Sequence, residues 1–284
     1  MSVIRTPADD ASTVAEPPRR RAMTPRRRRK IIRSAQYVVL TVALALVVVL
    51  ADWRQLQHQF LDPSVAARMF PDLITVALTN TVVYTLAGFG VGLVLGLVVA
   101  LMRLSSVAPY RWIAATYIEI FRGLPALLIF IFIGVGVPLA FPGMAIPGGA
   151  YGQVAVALGL VAGAYMAETI RAGIQAVPRG QMEAARTLGM SYGQAMRSIV
   201  IPQAFRIIVP PLTNELVLLF KDSSLVLFLG VSLETRELTK FGRDLAGETA
   251  NTTPIFVAGL CYLLITIPLG YVVRRLEARH AKAR

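Results

Sequence analysis

The sequence predicts an all-α membrane protein, and composition and pattern both support this fold class. Hydrophobic residues make up 55% of the 284 residues, and the mean hydropathy is +0.61, above the range of a soluble domain. Leu, Ala, Val and Gly dominate the apolar runs without strand-like alternation, which favours helices over a barrel. Six runs are long enough to cross a hydrocarbon core about 30 Å thick: residues 34–51, 73–101, 112–139, 154–174, 207–231 and 254–273.

The formal net charge of +13 is distributed unevenly between the connections. Because cytoplasmic loops and tails collect Arg and Lys, this distribution predicts orientation. The basic segments carry net charges of +7, +2, +4 and +4 in chain order: residues 1–33, 102–111, 171–206 and 272–284. The alternate connections are acidic or neutral: 52–72, 138–152 and 232–253. Both termini are therefore predicted to be cytoplasmic.

This topology divides the chain into an N-terminal helix and a five-helix transmembrane region. The predicted parts are a disordered basic tail (1–33), an anchor helix with an outer loop (34–72), a transmembrane domain (73–275) containing a cytoplasmic hairpin (178–203), and a basic tail (276–284). The first apolar run spans the bilayer and follows a long basic region, which favours an uncleaved anchor. Cleavage as a signal peptide after Ala51 is the alternative.

The sequence offers few residues for enzyme chemistry. Cys261 is the one cysteine, so no disulfide or thiolate metal site is expected within the chain. His58 and His280 are predicted on opposite sides of the membrane and cannot share a metal. No G-x-x-x-x-G-K-[ST], H-E-x-x-H or G-x-S-x-G motif occurs. We predict that the chain is not an enzyme, binds no metal and does not hydrolyse ATP. The Arg-rich leader is interpreted as a topological signal at a lipid surface, with no nucleic acid as partner.

The cytoplasmic segment after the fourth run has the pattern of a helical hairpin. Pro178 suits the start of a helix, and Gly189 suits a left-handed C-cap. A second short helix is predicted to begin after Ser191 and to end at Pro202.

One face of the first hairpin helix carries an apolar stripe. Met182, Ala185 and Leu188 recur at spacing three, and Ala184 adds a small surface beside them. Since the hairpin is too short to form a core of its own, we expect the hairpin to dock into a groove on another protein.

Ionisable residues inside the predicted spans are candidates for a transport path, because a charge in the bilayer is costly unless it is paired or faces water. Glu215 and Asp222 lie seven residues apart on one helix face, whereas Lys221 points about 120° away from Glu215. A solute with an ammonium and a carboxylate would suit such groups, although Lys221 and Asp222 could instead bond other helices. The full candidate set is Arg122, Glu215, Lys221, Asp222, Ser223 and Ser224.

Glycines recur every four residues in the second apolar run, at Gly88, Gly92 and Gly96. Close helix packing is a better explanation than a gate, because small residues let membrane helices approach each other.

The hairpin motif resembles a known signature. The pattern E-A-A-x3-G-x9-I-x-I-P is similar to the cytoplasmic loop of permease subunits of bacterial ABC importers, with Ile where the last apolar position is usually Leu. In that family the loop forms a coupling helix that docks into a cleft of the ATPase subunit. The resemblance therefore implies ATPase-coupling residues at Glu183, Ala184, Ala185, Gly189 and Pro202.

Flanking segments narrow the resemblance to polar amino acid permeases, and the resemblance as a whole covers roughly residues 75–275. The segments are 119–125, 167–174, 178–181, 202–204, 210–214 and 221–225. Two departures make the third run less polar than in that branch: Leu124 stands where Thr is usual, and Ile129 where Gln is common.

The resemblance implies an importer permease of the bacterial inner membrane with several partners. These are a dimer of ABC ATPase subunits, a second permease copy or a paralogue, and an extracytoplasmic solute-binding protein. No cofactor is expected on this chain, and ATP and Mg would bind the partner ATPase. The alternative is a secondary transporter or channel driven by an ion gradient. Such proteins commonly contain inverted repeats, and we find no convincing repeat between the halves.

Overall fold

A computed structural model describes residues 25–143 and 146–281, and every regular element in these ranges is helical. Thirteen α-helices follow one another within them. Their bounds are α1 Pro25–Leu50, α2 Trp53–Phe60, α3 Pro63–Arg68, α4 Thr79–Leu104, α5 Ala108–Gly123, α6 Ala126–Ile131, α7 Val137–Ala140, α8 Gly149–Gln175, α9 Arg179–Thr187, α10 Tyr192–Ala195, α11 Ile201–Asp222, α12 Leu238–Thr249 and α13 Thr253–Ala281. Wider π turns occupy Leu73–Leu78, Phe132–Gly136 and Met196–Val200, and a 3-10 helix occupies Ser223–Leu229.

The described residues contain fewer continuous spans than the six predicted. Four helices are long and apolar enough to cross a membrane: Arg28–Leu50, Leu73–Leu104, Gly149–Gln175 and Thr253–Ala278. A fifth crossing exists if the pair Ala108–Gly123 and Ala126–Ala140, bent by 105°, is one span. The break falls at Leu124 and Pro125, because Pro disfavours helical backbone in the residue before it and has no N–H to donate.

The predicted span 207–231 is not one continuous apolar helix either. α11 begins earlier, at Ile201, and ends at Asp222, where the 3-10 helix takes over until Gly230. Gly230 has a φ of 66°, a left-handed conformation that reverses the chain. The polar residues Asn214, Glu215, Lys221 and Asp222 lower the hydropathy of α11.

The N-terminal unit, residues 1–53, separates from the unit formed by residues 54–284. Its helix α1 begins at Pro25, so the basic run 26–30 is helical rather than part of a disordered tail. Arg and Lys are good helix formers, which accounts for the earlier start. The rest of the predicted tail, residues 1–24, lies outside the described residues.

Within the second unit, α4 and α8 pack along a stripe of glycines. A Cβ on Gly88 would lie 2.5 Å from the Cβ of Leu158, one on Gly92 would lie 3.0 Å from that of Ala162, and one on Gly96 would lie 2.8 Å from that of Met166. Side chains at the three positions would force the helices apart. The interpretation of this stripe as close packing is confirmed.

At the end of this unit opposite residues 178–203, α4 holds the segment that leads into α12. The Asn80 side chain donates to the carbonyls of Glu234 and Arg236 at 2.8 and 3.1 Å, and the Tyr84 hydroxyl donates to the carbonyl of Thr235 at 2.6 Å. Buried Glu237 caps α12 through the backbone N–H groups of its first turn. The segment therefore has its backbone polar groups satisfied at α4.

Candidate functional site

The hairpin residues 178–203 begin with a helix whose two ends match the sequence prediction. Pro178 precedes the nine-residue helix α9, and Gly189 follows it with a φ of 86°. The N–H of Met190 donates to the carbonyl of Ala185 at 3.1 Å, so the chain reverses in a Schellman motif. The predicted left-handed glycine is confirmed, and it ends α9 abruptly.

The second half of the hairpin differs from the prediction. Ser191 and Gln194 form a capping box that starts α10 as expected. The helix does not stop at Pro202, however, since it runs through the π turn into α11. The π turn widens the backbone immediately before a proline that has no N–H to donate, and this allows the chain to continue as a helix.

The apolar stripe of α9 is split between two environments. Ala185 is buried, and Met182 packs against the cluster formed by the ends of α4, α5, α8 and α11. Leu188 is 84% exposed, and Glu183 and Ala184 are exposed as well. Two of the three stripe residues, Met182 and Ala185, therefore hold the hairpin on its own chain, and Leu188 is left exposed. The accessible face consists of Glu183, Ala184, Thr187 and Leu188.

Glu215 and Asp222 line one cavity of about 250 Å³. Their shared helix face therefore opens into common space, as the seven-residue spacing predicts. Tyr165 of α8 and Leu124 at the break between α5 and α6 line it as well. Leu124 is one of the two residues that depart from the polar amino acid branch, and a leucine at this position makes the cavity less polar.

Lys221 faces a different space. It lines a cleft of about 370 Å³ between α11 and α13 together with Asn214, Thr266, Arg274 and Glu277. Consecutive helical residues are rotated by about 100°, so Lys221 and Asp222 are adjacent in sequence but open on different sides of α11. Lys221 therefore lies outside the cavity that Glu215 and Asp222 share, in line with the separation of about 120° from Glu215 expected from the sequence.

Arg122 of α5 lies next to a residue that lines the acidic cavity. Its guanidinium carbon is 5.2 Å from the ring centroid of Tyr165, a cation–π distance. Ser223 is fully buried, and its hydroxyl donates to the carbonyl of Phe220 at 2.7 Å. Ser223 is therefore a structural residue here. Ser224 is half-buried and lines neither the cavity nor the cleft.

Tyr165 is a site residue that sequence reasoning missed. It stands among small residues of α8, and only packing against α5 and α11 brings it beside Arg122 and Glu215. An aromatic residue in a Gly- and Ala-rich helix is the one signal that could have indicated it. In the described ranges, no group of three His, Cys, Asp or Glu side chains is placed to hold a metal ion.

Apolar spanning helices, a cavity among them that contains two carboxylates and an exposed hairpin at one end define the class as a membrane transport component. The family described as "Binding-protein-dependent transport system inner membrane component" matches residues 92–282. The chain belongs to this family. It is a transport subunit rather than an enzyme, and an ion-gradient transporter or channel is not favoured.

Relatives of known name support the assignment. The probable glutamine ABC transporter permease protein GlnM of Bacillus subtilis (strain 168) is 41% identical over 194 residues, covering 67% of this chain and 85% of GlnM. The arginine transport system permease protein ArtQ of the same organism is 36% identical over 189 residues, covering 66% and 84%. A solved structure, described as an amino acid ABC transporter with histidines, superimposes with a TM-score of 0.68 at 34% identity, covering 77% of this chain and 99% of that one.

Proposed function

We propose that this chain is the membrane-spanning permease subunit of an ATP-driven importer of a polar amino acid. The observation that carries the substrate class is the cavity lined by Glu215 and Asp222 and approached by Arg122, in a chain whose relatives are named for amino acids. The carboxylates suit an ammonium group, and the guanidinium suits a carboxylate.

Energy for transport enters at the hairpin. The exposed face of α9, with Glu183, Ala184 and Leu188, docks into a cleft on a separate ATPase subunit that binds ATP and Mg. Buried Ala185 and Met182 attach the same helix to the cluster at the ends of α4, α5, α8 and α11. Since the helix is joined to both proteins, movement of the ATPase moves the spans as packed bodies.

The assembly contains two permease chains, this one with a second copy or a paralogue, and two ATPase subunits. An extracytoplasmic binding protein delivers the amino acid to the end of the chain that carries α12. Both termini and the hairpin lie on the cytoplasmic side of the inner membrane, as the Arg and Lys distribution supports.

The test is transport in liposomes that contain the chain, its ATPase and its binding protein. We expect uptake only when ATP is supplied on the hairpin side. Uptake that depends on a proton or sodium gradient without ATP would contradict the proposal and support the alternative. The amino acid is identified by measuring which one the cognate binding protein retains.

The docking role of α9 has its own test. Glu183→Lys reverses a charge on the exposed face, and we expect it to abolish ATPase co-purification and transport while membrane insertion is unchanged. Glu248→Lys makes the same charge reversal at an exposed position of α12 and is the control for co-purification. Equal ATPase recovery with both variants would refute the docking role.

A further inference from the structure

The cleft between α11 and α13 contains two cationic side chains that the cavity of Glu215 does not use. Lys221 and Arg274 both line it, and the polar residues Asn214 and Thr266 line it as well. Glu277 is the one carboxylate that lines it. The cleft therefore has an excess of one positive charge.

The position of Arg274 shows that its charge lies inside the cleft. A Cβ on Gly270 would be 3.5 Å from a terminal nitrogen of the Arg274 guanidinium. The side chain thus folds back over the preceding turn of α13, the direction that helical side chains favour. Arg275, next in the chain, instead lies over the Tyr271 ring at 4.6 Å from its centroid. The Arg274 guanidinium is thus held against Gly270, which lines the cleft as well.

These two cations lack a carboxylate partner within the described ranges. No ion pair within 4.0 Å is formed there by Lys221 or Arg274, and the carboxylate of the neighbouring Asp222 lines the other cavity. A cation on a spanning helix is costly without a counter-ion. An anion in the cleft would lower that cost.

The walls of the cleft indicate what else the anion carries. Val217, Ile267 and Val273 line it, and only 6% of the most apolar stretch of α13 is buried within the chain. A ligand in this place meets apolar surface and two cations together. Among anions, an anionic phospholipid combines a phosphate with acyl chains and is a component of the membrane that these helices span.

We propose that the cleft between α11 and α13 binds the phosphate of an anionic phospholipid, in the leaflet where the basic end of α13 lies. Lys221 and Arg274 hold the phosphate, and the acyl chains follow Ile267 and Val217. Basic pockets between spanning helices recognise lipid head groups through this combination. A free phosphate shares the charge but lacks the apolar part.

The test is retention of phosphatidylglycerol by the full chain, purified with its accompanying subunits into nanodiscs that mix phosphatidylglycerol and phosphatidylcholine. Native mass spectrometry counts the lipids that remain bound. We expect Lys221→Gln and Arg274→Gln each to weaken retention about fivefold. Arg275→Gln, the matched control, changes it less than twofold. Gly270→Leu fills the cleft without changing charge and is expected to weaken retention as well.

Size-exclusion profiles and melting temperatures identify any variant that fails to fold. Lipid retention by the variants that do fold then tests the proposal. Equal lipid loss from Arg274→Gln and Arg275→Gln would mean a diffuse basic surface and would overturn the proposal. Lys221-dependent binding of inorganic phosphate in discs of phosphatidylcholine alone would assign the cleft to a free anion and overturn the lipid assignment. Retained phosphatidylglycerol that millimolar phosphate does not displace supports it.

Discussion

At the residue scale, side chains that are adjacent in the sequence of this chain face different spaces, because a helix turns by about 100° per residue. Asp222 opens on the cavity shared with Glu215, while Lys221 opens on the cleft with Arg274. Ser223, the next residue, is fully buried and bonded to the backbone. A run of polar residues inside a membrane protein therefore cannot be assigned to one site from the sequence run alone, because each residue can lie on a different helix face.

Glu215→Gln tests the acidic cavity directly. It removes one of two carboxylates that would meet the substrate ammonium, so we expect KM for uptake to rise about tenfold, the effect of losing a hydrogen bond to a charged group. Glu119→Gln makes the same chemical change at an exposed position of α5 outside the cavity. Initial uptake rates over a range of substrate concentrations measure both, and an equal change in KM would disprove a role specific to Glu215.

Gly189→Ala tests the turn of the hairpin. A Cβ there meets nothing within 4 Å, so the cost comes from the φ of 86° alone, about 1 kcal/mol for a non-glycine residue. We expect faster hydrogen exchange of the α9 amides. Gly180→Ala, also free of neighbours within 4 Å but inside α9, is expected to leave exchange unchanged or slower. Similar acceleration in both variants would show that backbone conformation at Gly189 is not the cause.

At the element scale, the packing of α4 on α8 and the breaks in other helices position the site. The glycines of α4 bring α8 close, and α8 carries Tyr165 to the cavity. The break at Leu124 and Pro125 places Leu124 at the cavity wall and Arg122 over Tyr165. The cavity therefore results from one close helix pair and one interrupted span.

Gly88→Val tests the close packing. The new Cβ would meet the Cβ of Leu158 at 2.5 Å, an overpacking that we expect to lower the free energy of unfolding by about 2 kcal/mol. Gly90→Val introduces the same side chain on the exposed face of α4, where nothing lies within 4 Å. Thermal unfolding in detergent should show a lower midpoint for Gly88→Val only. Equal midpoints would mean that the two helices separate at little cost.

At the scale of the whole molecule, the charge distribution makes the two ends of the transmembrane region unlike each other. The end with the hairpin is basic, and the end with α12 is slightly acidic. That asymmetry is what orients a membrane protein during insertion.

Single cysteines test this orientation, with Cys261→Ser as the background. Gln194, Glu248 and Glu277 are all exposed in the chain, on the hairpin, α12 and the end of α13. A membrane-impermeant maleimide applied to intact cells should label Glu248→Cys and spare Gln194→Cys and Glu277→Cys until the membrane is opened. Labelling of Gln194→Cys in intact cells would reverse the proposed topology.

The sequence by itself determined the fold class, the caps of α9 and α10, the glycine stripe and the family. These depend on composition, on helical period and on hydrogen bonds between near neighbours, all of which are set by residues close together in the sequence. Tertiary structure alone decided that the stripe of α9 splits at Ala185, that Lys221 shares a cleft with Arg274 and that Tyr165 joins the acidic cavity. The physical reason is that the space a side chain faces depends on helices distant in sequence.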